Sequence, residues 1–138
     1  MPLVRMSFKQ DRPQAFRRSA GAAVHRALMS VGVPAQDLFQ VLSSHGEDLV
    51  YDSSFLGVER TDGIVIVQIF LSRGRTVEIK QALFKAIAEN LQQDLQIRPE
   101  DVFVSLVEAG LDDWSFGNGL AQYVENPPAH LTRKAEAS

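Results

Sequence analysis

The sequence predicts an α/β (α+β) fold in which duplicated β-α-β units form a four-stranded mixed sheet with two helices on one face. Three observations carry that prediction. Two segments with apolar residues at helical spacing, Phe16 to Val31 and Ile79 to Leu95, each follow a short run of β character. Each helical segment then meets a break and a second apolar strand. Laid on the first half, the second half places Asp101-Val102-Phe103 on Asp37-Leu38-Phe39, Ile97 on Val33, and Gln68 to Ser72 on the first strand.

The elements follow in order. Leu3 to Phe8 has β character, and Pro2 begins it as an edge residue. Asp11 is placed to cap a helix with Pro13 in its first turn, where the missing N–H costs little. Phe16, Ala20, Ala23, Val24, Ala27, Leu28 and Val31 form the buried stripe, and Gly32 ends it. Leu38 to Ser43 is the second strand, parallel to the first because the connection carries a helix. Gly46 to Gly63 is polar and turn-rich, with at most a short strand around Leu49 to Tyr51. Ile64 to Leu71 is the most apolar strand and belongs at the centre of the sheet. Thr76 caps the second helix, with Glu78 in its first turn and a stripe of Ile79, Leu83, Ile87, Leu91 and Leu95. Pro99 breaks it, and Val102 to Val107 is the fourth strand. Trp114 to Gly117 is a compact, turn-rich stretch.

The 138 residues suit one domain, taken as residues 1–125, with a C-terminal tail over 126–138. Hydrophobic content of 45% with 22% charged residues is that of a soluble globular protein. A net charge of −3 with interspersed signs implies no basic face, so nucleic acid is not an expected partner. The lack of cysteine removes disulfides, thiolate nucleophiles and cysteine metal sites. His25, His45 and His130 make no i,i+4 pair, so neither a metal nor another cofactor is expected. No apolar run is long enough for a membrane span, and Arg5, Lys9, Asp11 and Arg12 interrupt any signal-peptide core. The expected location is cytoplasmic.

The chemistry-bearing residues converge if the first and third strands are antiparallel neighbours. The start of the first strand then lies beside the end of the third, near Arg73 and Arg75, and Asp37 sits at the same edge. Freed by removal of Met1, Pro2 is a secondary amine whose ordinary pKa lies near the α-amino range of about 7.7–8.0. Arg73 and Arg75 alternate across Gly74, which aims both at one side where the backbone is extended and suits a carboxylate. Each residue also has a plainer role: solvated loop arginines, Asp37 as a turn residue like its repeat-mate Asp101, and Trp114 and Phe116 as core. The strand Ile64 to Leu71 is apolar on both sides, and the chain is too short to cover both faces, so an obligate oligomer is expected.

The β-α-β repeat, Pro2, Gly32-Val33-Pro34 with Asp37, Ser72-Arg73-Gly74-Arg75 and Asp113-Trp114-Ser115-Phe116-Gly117 resemble the tautomerase superfamily. The likeness is to its malonate semialdehyde decarboxylase branch and runs from Pro2 to about Tyr123. Leu38 stands where that branch would have a basic residue, and Gly74 where it would have proline. The resemblance implies a homotrimer with a processed, catalytic Pro2. It further implies that Arg73 and Arg75 hold a substrate carboxylate, that Asp37 works near the proline or a water, and that Trp114, Phe116 and Tyr123 line the substrate site.

The substrate implied is a small keto or enol carboxylic acid. A neutral Pro2 would move a proton between oxygen and carbon. A cationic Pro2 would polarise the carbonyl of a 3-oxo acid such as malonate semialdehyde while carbon dioxide leaves. The alternatives are a non-catalytic trimeric binding or signalling module, and hydration or dehalogenation of an unsaturated acid with Asp37 activating water.

Overall fold

In the computed structural model, which describes residues 2–129, the four strands are β1 (Pro2–Phe8), β2 (Gln40–Ser44), β3 (Val65–Ser72) and β4 (Val102–Ala109). The helices are α1 (Gln14–Ser30), α2 (Val77–Leu95) and the short α3 (Gln122–Glu125). The strand order is β2-β1-β3-β4, with β1 parallel to β2, β3 parallel to β4, and β1 antiparallel to β3. The pseudo-twofold arrangement of the two β-α-β units is therefore as expected, with β3 inside the sheet.

Alternation in the strands sets the layers. In β1, Val4, Met6 and Phe8 are buried, and in β3, Val65, Val67, Ile69 and Leu71 are buried. They pack with Ala20, Ala23, Val24, Ala27 and Leu28 of α1 and Leu83, Ile87 and Leu91 of α2. Each such large side chain contributes about 1.5–3 kcal/mol relative to exposure. Asn90 Nδ2 donates to the Ala23 carbonyl at 3.1 Å and Arg26 meets Asp94 at 2.8 Å, so the helices also lock to each other. On the other face lie Ile66, Phe70, Phe103 and Val107, of which the last two are 46% and 42% exposed. No helix among the described residues is long and apolar enough to cross a membrane.

Several boundaries differ from expectation. Asp11 does not cap α1: Pro13 is the cap, with extended ψ of 153° and no side-chain hydrogen bond. Gly32 does end α1, at φ +104°, and its N–H donates to the Met29 carbonyl at 3.1 Å. No strand forms at Leu49–Tyr51, which runs without regular structure between short turns at Gly46–Asp48 and Phe55–Gly57. Thr76 caps α2 as expected, Oγ1 accepting from the Ile79 N–H at 3.2 Å. Gln96, at φ +55°, rather than Pro99, turns the chain out of α2. The expected tail of 126–138 lies outside the described residues beyond Ala129, as does Met1.

Candidate active site

The register places Pro2 opposite Leu71, and Leu71 opposite Glu108, in one row across three strands. Pro2 is fully buried, and the row lies on the helix side of the sheet. Just past this row β3 runs out, and Arg73 extends the ladder by donating its N–H to the Ala109 carbonyl at 2.9 Å. Parallel pairing of β1 with β2 starts at Val4 and Gln40, so Asp37 precedes β2 at the same end of the sheet. A turn fixes it there: the Asp37 N–H donates to the Pro34 carbonyl at 3.1 Å.

The two arginines are not equivalent. Gly74 adopts φ +123°, so the extended backbone on which alternation onto one side depended is not present between them. That conformation is closed to proline, whose ring holds φ near about −65°. Arg73 is exposed, with Nη1 near Gly110. Arg75 is half-buried, and its Nη1 donates to the Ser72 carbonyl at 3.0 Å. Burial lowers the Arg75 guanidinium from its ordinary value, while the charges of Glu108, Tyr123 and Asp37 oppose that shift. An arginine stays protonated even so. Tyr123 moves the other way: burial raises its phenol and Asp37 raises it further, against Arg75. Its hydroxyl therefore stays protonated near neutrality. Mutual influence among Arg75, Asp37 and Tyr123 means that these three expected site residues share one end of the sheet.

Over them sits an aromatic wall. Trp114 and Phe116 stack at 5.8 Å between centroids, and Phe116 meets Tyr123 edge-on at 4.7 Å. Gln122 braces this wall, accepting from the Phe116 N–H and donating to the Gly117 carbonyl, each at 2.9 Å. Trp114 Nε1 in this wall and Ser72 Oγ at the end of β3 are buried with no hydrogen-bond partner among the described residues. Asp101, the repeat-mate of Asp37, is different in kind. It is 2% exposed and accepts from the Thr61 N–H at 2.7 Å and Thr61 Oγ1 at 2.6 Å, at the opposite end of the sheet. One copy of the duplicated aspartate stitches a loop; the other faces Arg75.

Sequence reasoning passed over Gln122, and it passed over the pair Lys80 Nζ–Glu108 Oε1 at 2.7 Å. A signal for Glu108 existed: it stands in phase with Val102, Val104 and Leu106, where a core residue is due. A cavity of about 630 Å³ lies elsewhere, between α1 and β2, lined by Arg17, Arg18, His25 and Arg26 among others. Three of those side chains are already engaged: Arg17 with the Arg12 carbonyl, His25 with the Ala35 carbonyl and Arg26 with Asp94. The convergence of groups at the Pro2 end makes that end the better candidate for chemistry. No group of three or more potential metal ligands occurs among the described residues.

Residues 37–117 match a family model described as tautomerase enzyme. A probable tautomerase of Bacillus subtilis (strain 168), YusQ, is 35% identical over 127 residues, covering 91% of this chain and 100% of that protein. Among solved structures, FG41 malonate semialdehyde decarboxylase inhibited by 3-bromopropiolate is 40% identical at a TM-score of 0.85, covering 92% of this chain and 98% of that one. A fused 4-OT wild-type symmetric trimer is 25% identical at a TM-score of 0.73, covering 90% of this chain and 98% of that one.

Proposed function

The chain belongs to the tautomerase family of enzymes, and from that premise we propose that it decarboxylates a small 3-oxo acid of the malonate semialdehyde kind, with Pro2 as the working amine after Met1 is removed. The observation that carries this reading is the meeting of Arg75, Asp37 and Tyr123 beside the Pro2 end of β1. The 40% identity to a malonate semialdehyde decarboxylase supports the choice of reaction.

In this mechanism Arg75, helped by Arg73, holds the substrate carboxylate and fixes its orientation. Asp37 favours the protonated form of the Pro2 amine, and the cation donates a hydrogen bond to the 3-oxo oxygen. The bond between the carboxyl carbon and the neighbouring methylene then breaks. Its electron pair moves into an enolate, whose oxygen the Pro2 cation stabilises through its hydrogen bond, and neutral carbon dioxide leaves. The enolate carbon then takes one proton from solvent water, giving the aldehyde and hydroxide, and Pro2 ends in the cationic form in which it began. Trp114, Phe116 and the Tyr123 ring exclude water from the carboxylate, which favours loss of its charge.

A second reading is tautomerisation of an enol or 2-keto acid, favoured by the burial of Pro2 and by the relative named a probable tautomerase. Burial and nearby guanidinium groups both favour the neutral amine, a base that takes the enol proton and returns it to carbon. The working unit is read as a homotrimer, supported by the apolar sheet face at Phe103 and Val107 and by the trimeric 4-OT neighbour.

The test is the pH profile on malonate semialdehyde and on an enol 2-oxo acid, alongside an N-terminally extended variant that keeps Pro2 as an amide. Decarboxylation by a cationic amine is lost as pH rises through the Pro2 pKa, and tautomerisation by a neutral amine is lost as pH falls through it. The extended variant should lose both, by about 10²–10⁴-fold if proton transfer is the contribution. Full activity in a correctly folded extended variant would remove Pro2 from the mechanism.

A further inference from the structure

We propose that Glu108 is a positioning residue for Arg75, held in place by Lys80, and that the pair sets how tightly the enzyme grips a carboxylate; this rests on the carboxylate-holding role of Arg75 given above. The geometry starts from the row Pro2–Leu71–Glu108. Two strand spacings of about 4.8 Å put the Glu108 backbone about 10 Å from that of Pro2. Its side chain stands on the helix side, in phase with Leu106 and Val104, and reaches Lys80 on the first turn of α2 at 2.7 Å.

Each partner is out of place by itself. A carboxylate in the core phase of a strand needs a cation, and a lysine in a helix's first turn opposes the positive end of the dipole. The Lys80 N–H closes the helix by donating to the Thr76 carbonyl at 3.1 Å, which fixes where its side chain starts. Arg75 sits one residue before that cap, tied to the Ser72 carbonyl. Ser72, whose carbonyl holds the Arg75 guanidinium at 3.0 Å, pairs across the ladder with Ala109, the residue after Glu108. Glu108 therefore stands beside the strand end at which Arg75 is held, in direct contact with Lys80, and its charge acts on the guanidinium through space. The proposed role follows from that placement: Lys80 holds the carboxylate of Glu108 away from direct pairing with Arg75, and the remaining attraction keeps the guanidinium at the Ser72 carbonyl, ready for the substrate. Both carboxyl and ammonium are about 30% exposed, so the pair is partly shielded from solvent.

The test compares Glu108→Gln, Lys80→Met, Lys80→Arg and Arg75→Ala as purified full-length proteins, reading kcat and KM on malonate semialdehyde together with thermal melting. Glu108→Gln and Lys80→Met should raise KM about tenfold with kcat changed less than threefold. Lys80→Arg, which keeps the ion pair, should restore KM to within about threefold of the parent. A purely structural ion pair would lower the melting temperature of both neutralising variants and leave KM alone, which would overturn the proposal. If Arg75→Ala raises KM and the pair variants do not, the positioning role fails while the carboxylate role stands. If Arg75→Ala itself leaves KM unchanged, the carboxylate role fails first. Should Glu108→Gln not fold, the contrast between Lys80→Met and Lys80→Arg decides by the same criteria.

Discussion

Removing the two loop arginines singly should have unequal consequences, and the inequality tests how the site is built. Arg75 is half-buried beside Asp37, Tyr123 and Glu108, whereas Arg73 is exposed. A hydrogen bond to a charged group contributes about 1.5–3 kcal/mol where water is partly excluded. Arg75→Ala should therefore lower kcat/KM on a carboxylate substrate roughly ten- to hundred-fold. An exposed ion pair is worth only about 0.2–1 kcal/mol, so Arg73→Ala should cost about fivefold or less. Stability should follow the same order. Loss of the Arg75 hydrogen bond to the Ser72 carbonyl should cost about 1 kcal/mol in denaturant unfolding. Arg73→Ala should stay within about 0.5 kcal/mol of the parent. Steady-state kinetics and urea titrations of both variants give all four quantities. Equal losses of kcat/KM, or a larger loss in Arg73→Ala, would refute the argument that burial decides which guanidinium grips the substrate.

Asp101→Ala should destabilise the fold by about 2–4 kcal/mol, because it strands two Thr61 donors, yet leave the turnover of folded protein unchanged. Asp37→Asn should do the opposite, lowering turnover with little effect on unfolding; matching behaviour of the two variants would contradict the division of labour between the repeat-mates. Sedimentation at micromolar concentration should show a trimer, and Phe103→Asp should weaken it. A monodisperse, well-folded monomer of the parent protein would refute the proposed assembly.

Much of the fold could be read from local pattern. The apolar stripes of α1 and α2, the Gly32 stop and the Thr76 cap depend on interactions within a few residues, and each appeared as expected. The misses came where a long-range partner overrode a local preference. Asp11 had a capping side chain, but the chain enters α1 through extended backbone at Pro13, two residues too late for Asp11 to serve. Leu49 to Tyr51 had strand character. Lys9 Nζ donates to the Leu49 carbonyl at 2.9 Å, Tyr51 donates to Asp62 at 2.8 Å, and turns take the place of a ladder.

The sequence alone determined which residues are apolar, at what period, and in what order strand, helix and break recur; from these followed two β-α-β units and a β3 at the centre. It also supplied Pro2, Asp37, Arg73, Arg75, Trp114 and Phe116 as candidates, each with an ordinary structural role beside the chemical one, and the family resemblance added Tyr123. Only the tertiary structure decided where each of them stands. The β1–β3 register set Pro2 against Leu71, and the φ of Gly74 separated an exposed Arg73 from a half-buried Arg75. The same structure put Asp37 within electrostatic reach of Arg75 and Asp101 in hydrogen-bond contact with Thr61, although the two look alike in sequence. Periodicity records which face a residue takes, because that depends on neighbours in the chain. Charge pairing and burial depend on segments tens of residues away, and those distances exist only once the sheet has closed.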